Sequence, residues 1–496
     1  MKLCNIGHNF DYETEKLARI FLPFEKIEIF HEEIKEGNVA VCIVEEYTDG
    51  AEITSKLSLF GKTAQFSESI DRSETNIESF EKKCERVVAT TLFDCFSLVT
   101  GYRSPWGILT GVRPARLFSR TVSALGDTKA KERFLNELYV SENKISLCEE
   151  AHNGEGKIIS LSRPESFSLY VSIPFCPSRC NYCSFVSHSV EKAGELIPDY
   201  IEHLCIELKE TAKIVESIGL KLETVYVGGG TPTSIKPEFL DKVLKTIREN
   251  FDMSSVLEFT VEAGRPDTVT REKLNVIKEN GATRISINPQ TMNDDVLINI
   301  GRKHTAEQMR EAFKLAREVG FDNINTDLIA GLSGDTIESF KSSVEEILKL
   351  SPESVTVHSL SMKRASSLTV KGELPDIKAG VEATQMVEYA RTRLTQSGIK
   401  PYYMYRQSKT VGNLENVGYA KQGKECLYNV YIMDETHTIL ACGASAVTKL
   451  REPEGENIER IFNYKYPYEY ISRFDDMLQR KKGVIEFYQK YKVKGI

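Results

Sequence analysis

From Ser168 onward the chain alternates short apolar runs with long amphipathic stretches. SLYVSIPF, ETVYVGGG, LEFTVEAG, RISINPQ, NINTDLIAGL and SVTVHSLS are rich in Val, Ile, Tyr, Phe and Thr and end at Gly, Pro or polar residues, the signature of buried strands. Between them, spans such as Pro237 to Asn250 and Ala306 to Val319 repeat apolar residues every three or four positions and predict helices. Six such units imply an α/β fold, a parallel sheet curled into a partial (βα)6, TIM-like barrel whose chemistry sits at the C-terminal strand ends.

Residues 1–160 follow another pattern, with strand-like KIEIF and VAVCIV and a helical segment from Asn76 to Thr100. They predict a separate N-terminal α+β domain of unknown role. The polar stretch HNGEGKIISLSRPES reads as a linker, and residues 165–390 as the barrel. From Ala390 the order loosens. A strand-like hairpin, NVYIMDETHTILACG, and a basic, aromatic tail predict a small C-terminal domain or lid over 391–496. SPWGILTGVRPARLF, with Trp106, Arg113 and Arg116, reads as a turn entering a helix; it is either a packed connector or a place where the arginines hold an anionic substrate or the facing domain.

Composition narrows the classes. At 496 residues, 41% hydrophobic and 27% charged, the chain has the balance of a globular enzyme, and its net charge of -8 argues against a partner bound through phosphates. MKLCNIGHNFDYETEK has no apolar signal region, and no run approaches the ~18 apolar residues of a membrane helix. A cytoplasmic protein with no membrane span and no nucleic-acid partner is expected. The eleven cysteines are odd in number, which favours thiols and metal ligands over disulfides. Cys4, Cys42, Cys84, Cys95, Cys148, Cys205, Cys426 and Cys442 stand apart and read as small buried hydrophobes.

The other three share one loop. SIPFCPSRCNYCSF sets Cys176, Cys180 and Cys183 in a C-x3-C-x2-C arrangement just after the first barrel strand. Thiolates are the soft ligands of iron–sulfur clusters, and three of them on a four-iron cube leave one iron open for chemistry. A structural zinc would need a fourth ligand, for which His188 is the near candidate. Polar residues follow at successive strand ends: Gly228–Thr233, Glu262, Gln290 with Arg302 twelve residues on, and Asp327. Glycines admit close backbone approach, the acids and amide suit amine and ribose groups, and an Arg suits a carboxylate. Glu262 could instead pair internally with Arg265.

These motifs resemble the radical S-adenosylmethionine superfamily. YVSIPFCPSRCNYC, VGGGTPT, RISINPQTMNDDVLINIGRKHT, NINTDLIAGL and ACGASAV resemble its oxygen-independent coproporphyrinogen III oxidase family, over about Ser168 to Leu450; SPWGILTGVRPARL and YYMYRQSKTVGNLENVGYA resemble the HemZ branch. The resemblance implies a [4Fe–4S] cluster on Cys176, Cys180 and Cys183. It implies S-adenosylmethionine contacts at Tyr170, Tyr182, Gly229, Gly230, Thr231, Glu262, Gln290, Arg302, Asp327 and Val447, with His358 a looser match. The implied reaction is dehydrogenation and decarboxylation of two propionates of coproporphyrinogen III to vinyl groups, giving protoporphyrinogen IX through a 5′-deoxyadenosyl radical. A donor such as flavodoxin or ferredoxin would supply electrons, and Arg113 or Arg406 would meet the substrate's carboxylates. One position departs: where well-studied oxidases carry a further cysteine, this chain has Phe185, shared with the haem chaperones of the family. Haem binding and delivery, or radical chemistry on haem itself, are the alternatives.

Overall fold

The computed structural model describes residues 1–73, 78–111, 113–183, 187–362 and 377–491. Two compact units emerge. The first comprises Met1–His152, a piece ending at Thr384, and Tyr405–Glu415; the second holds the remainder.

In the first unit a five-stranded sheet runs in the order Glu28–Phe30, Lys2–Ile6, Val39–Tyr47, Gly50–Leu59, Lys62–Asp71. The first two pairings are parallel and the last two antiparallel. Helices Asp11–Phe21 and Phe80–Thr100 bury their apolar stripes against one face, where Phe21 stacks on Phe96 at 4.9 Å. Ser79 caps the longer helix by accepting from Lys82 N, and Gly101 ends it in the left-handed region.

In the second unit six parallel strands lie side by side in chain order: Ser166–Ile173, Lys221–Gly229, Glu258–Gly264, Arg284–Ile287, Ile324–Ala330 and Ser354–Ser359. All six are those read from the sequence, and helices Pro237–Asn250 and Ala306–Val319 form with the expected bounds. Such strands, buried on both faces, and their returning helices make the partial barrel.

Three expectations change. The first half of the supposed linker is helical: Glu142–Ile159 runs into it, burying Ile145, Cys148, Ala151 and Ile158. The segment LYNVYIMD forms a helix, Leu427–Asp434, because the Glu258 carboxylate accepts from the N–H groups of Leu427 and Tyr428 and so caps its start. Finally, the C-terminal residues do not make a third unit. Strand Thr438–Cys442 pairs in parallel with the first barrel strand, and Glu415–Ala420 pairs antiparallel with the sixth. Buried Glu207, on the helix Ile197–Ile218, accepts from Gly443 N at 2.7 Å, Asn463 Nδ2 at 2.8 Å, Tyr470 Oη at 2.5 Å and Lys481 Nζ at 2.9 Å. Breaking one of these would leave a buried charge short of donors, so the tail is bound into the barrel unit.

Candidate functional site

The first barrel strand ends at Ile173, and Phe175–Cys176 then pairs with His188–Ser189, closing the cysteine loop at its base. The loop is pinned from outside. Asn181 donates from its backbone to Ile300 O at 3.0 Å and from Nδ2 to Asn299 O at 2.9 Å, while Arg265 Nη1 donates to Ser178 Oγ at 2.7 Å. Arg265 completes itself on Asp267 at 2.7 Å, which excludes the internal pair with Glu262 considered from sequence.

Cys176, Cys180 and Cys183 are half-exposed, whereas the other eight cysteines are buried, as small hydrophobes should be. Thr231 Oγ1 donates to Cys176 Sγ at 3.5 Å. Among the described residues no three His, Cys, Asp or Glu side chains converge tightly enough to hold a metal as they stand, His188 included. The donor set itself fits an iron–sulfur cluster: three accessible thiols on one loop closed at its base and tethered by its polar residues.

The glycine triplet has three separate reasons. A Cβ on Gly228 would lie 3.0 Å from the Glu262 carboxyl carbon; one on Gly230 would lie 2.5 Å from Phe175 O; Gly229 sits at φ +105°. Gly230 N and Thr231 N donate to Ile173 O and Phe175 O at 2.9 and 2.7 Å, tying this turn to the cysteine loop.

Inside the barrel, Tyr226 Oη donates to Glu262 Oε1 at 2.6 Å. Tyr428, from the capped helix, stacks on Tyr226 at 4.6 Å and on Tyr170 at 6.1 Å. Desolvation, and then the nearby Asp327, pushes the Glu262 carboxyl up to about 7, against the hydrogen bond from Tyr226 and the charges of Arg284 and His358. Burial works on Asp327 in the same sense, but His358, with Nε2 3.7 Å away, and Asn325 Nδ2 at 2.7 Å hold it below the usual carboxyl range. Gln290 occupies the left-handed region at φ +73° and bridges to Leu328; its Oε1 is buried without a hydrogen-bond partner among the described residues. Arg302 donates to Tyr182 Oη at 3.1 Å and to Asn288 O at 2.5 Å.

The structure thus gathers Glu262, Asp327 and His358 as interacting groups, links Arg302 to Tyr182, and sets Gly229, Gly230 and Thr231 beside the cysteine loop. An amide oxygen orphaned among the described residues, and a carboxyl with no cation bonded to it among them, suit an amphipathic cationic ligand such as S-adenosylmethionine. Val447 stands apart from that set, opposite Phe462 on a hairpin. Phe185 lies outside the described residues. Arg406, expected at the mouth, belongs to the first unit and is buried, donating to Leu109 O at 2.7 Å and Asn413 O at 2.9 Å; Arg113 is the residue before helix Pro114–Leu125. Sequence reasoning missed Tyr226, Tyr428 and Asn325. For Tyr226 the signal was there, since period two sets it on the same strand face as Gly228.

A parallel barrel with a three-cysteine loop after its first strand and a glycine turn after its second defines a radical S-adenosylmethionine protein. The family model for the radical SAM superfamily matches residues 170–347. The chain is 34% identical over 477 residues, 95% of each partner, to the oxygen-independent coproporphyrinogen-III oxidase-like protein HemZ of Bacillus subtilis (strain 168). It is also 34% identical over 282 residues to the heme chaperone HemW of the same organism, covering 56% of this chain and 70% of that one. The solved coproporphyrinogen III oxidase (HemN) of Escherichia coli shares the fold at a TM-score of 0.51 and 22% identity, covering 65% of this chain and 73% of that one. The chain belongs to the radical SAM coproporphyrinogen oxidase-like family, in its HemZ branch. Membership carries a [4Fe–4S] cluster and S-adenosylmethionine as cofactors. Among the described residues no helix is long and apolar enough to cross a membrane.

Proposed function

We propose that the chain is an oxygen-independent coproporphyrinogen III dehydrogenase, removing hydrogen and carbon dioxide from two propionates to leave vinyl groups. The observation that carries this reading is the likeness to an oxidase-like protein along 95% of the chain, N-terminal unit included. Cys176, Cys180 and Cys183 would hold the cluster. Glu262, Gln290, Asp327, Arg302, Tyr170, Tyr182, Gly229, Gly230 and Thr231 would hold S-adenosylmethionine. Together the two cofactors supply a 5′-deoxyadenosyl radical when bound. The chain's own part is to orient the ligand's amine, ribose and carboxylate on fixed strand ends and to keep water out. Flavodoxin or ferredoxin would donate the electron, in the cytoplasm.

Haem binding and delivery is the second reading, favoured by the 34% identity to a heme chaperone across the barrel. The deciding experiment is anaerobic. Protein reconstituted with iron and sulfide is reduced, given S-adenosylmethionine and coproporphyrinogen III, and assayed for 5′-deoxyadenosine and protoporphyrin. A vinyl product that disappears in Cys176→Ala supports the dehydrogenase. Cleavage without it, together with transfer of intact haem, turns the assignment to the chaperone.

A further inference from the structure

Arg406 is engaged by backbone carbonyls, and the barrel unit offers other arginines for a tetrapyrrole's carboxylates. We propose that the outer face of the C-terminal hairpin, formed by Val447, Phe462, Tyr464 and Tyr466 with Arg473 and Arg480, docks a tetrapyrrole bearing carboxylate side chains. The inference rests on the tetrapyrrole reading above.

The face follows from register. Val447 and Phe462 are direct cross-strand partners and so share a side of the hairpin. Asn463 turns inward to Glu207, so Phe462, the last residue of the strand Ile458–Phe462, faces the opposite side, and Tyr464 joins it through Arg480, which donates both to Phe462 O and to Tyr464 Oη. Phe462 is 57% exposed and Val447 37%, two apolar side chains together rather than scattered singly.

Cations complement this apolar surface. Arg473 and Arg480 lie over the Tyr464 ring at 4.6 and 4.3 Å. Arg480 donates to Phe462 O at 3.0 Å and Tyr464 Oη at 2.9 Å, and Arg473 pairs with Asp476 at 3.2 Å, so each guanidinium uses part of its five-donor fork. In a chain of net charge -8, the segment from Arg460 to Lys482 carries six basic residues and three acidic ones. Aromatic rings for a macrocycle and guanidinium forks for its carboxylates are what such a ligand requires.

The face also starts at the right place. Ser445 N donates to Tyr464 O at 2.8 Å, and at Gly443 a Cβ would come within 2.5 Å of Ser172 O on the first barrel strand. The His188 ring meets Tyr466 edge-on at 6.0 Å, and His188 pairs with Phe175, the neighbour of Cys176. A macrocycle lying on the hairpin would therefore reach the rim from which the cysteine loop springs.

The test uses full-length, cluster-loaded protein under anaerobic conditions without reductant. Coproporphyrin III binding is followed by fluorescence, haem binding by absorbance, and the tetramethyl ester of coproporphyrin serves as a probe lacking carboxylates. Phe462→Ala should weaken both coproporphyrin probes about tenfold. Arg480→Gln and Arg473→Gln should weaken the free acid about fivefold to tenfold and leave the ester unchanged. Tyr12→Ala, an exposed aromatic of the first unit, is the control. Iron content and circular dichroism report the fold, and the two surface arginine variants preserve the test if Phe462→Ala misfolds. Wild-type binding that all three variants retain at full strength would overturn the docking face alone. Failure of wild-type protein to bind any tetrapyrrole would overturn the reading beneath it as well.

Discussion

Glu415, the last residue of the first unit, and Glu262, on a barrel strand of the second, are both carboxylates withdrawn from water, and they differ in what surrounds them. Glu415 accepts from Lys144 Nζ at 2.7 Å and Trp106 Nε1 at 2.6 Å, and these donors overcome burial to hold its carboxyl below the usual range. Glu262 has Tyr226 as its bonded partner and, among the described residues, no cation bonded to it, and its carboxyl rises to about 7. One acid is closed by its own chain and serves stability. The other has a polar neighbourhood that a cationic ligand would complete. Burial alone does not mark a ligand site; a buried charge left short of counter-charge does.

The largest test breaks the closed side. Lys144→Ala should strand Glu415 and cost about 3–5 kcal/mol, read by denaturant unfolding through Trp106, the single tryptophan and itself a partner of Glu415. An unchanged midpoint would mean the pair contributes nothing. Next, Glu262→Gln should weaken S-adenosylmethionine binding to the oxidised, cluster-loaded protein by about 10- to 100-fold, as for a charged hydrogen bond, without lowering stability. A drop in both would make Glu262 a structural acid like Glu415.

The acid side of the comparison has a sign. Because the Glu262 carboxyl is raised to about 7, it is neutral below that pH and charged above it, so affinity for a cationic ligand should rise as pH climbs through 7. Equilibrium dialysis between about pH 5 and 6.5, at least a unit below the ordinary α-amino value of about 7.7–8.0, should show up to roughly tenfold per unit in wild type and a flat profile in Glu262→Gln. Stability carries opposite signs. Glu415, held low, contributes stability that is present above the ordinary carboxyl range and lost on acidification. Glu262, held high, loses stability as pH rises toward 7. The smallest effect is expected from Tyr226→Phe, which removes one neutral donor and should cost about 1 kcal/mol, or fivefold in affinity, while moving the pH midpoint upward.

The loop motif and the strand ends were legible because they are local. Cysteine spacing, glycine runs and apolar periodicity are recorded within a few residues of one another, and each of the six barrel strands formed where its pattern lay. The helix Leu427–Asp434 was not legible. Its residues favour a strand as readily, and what caps it is Glu258, about 170 positions earlier. The helical start of the supposed linker was missed for the converse reason: the buried positions along Glu142–Ile159 are sparse within that stretch, and one of them is the acid Glu155.

The same division holds for function. By itself the sequence determined that three thiols share a loop, that polar residues follow at strand ends, and that the pattern resembles radical S-adenosylmethionine proteins. Only the tertiary structure decided that Arg265 serves Asp267 and the cysteine loop rather than Glu262, that Arg406 is engaged within the first unit, and that Tyr226 and Tyr428 back the barrel acid. The physical reason is partnership: a charged side chain acts according to the groups that meet it, and those come from chain segments far apart in sequence that fold into contact.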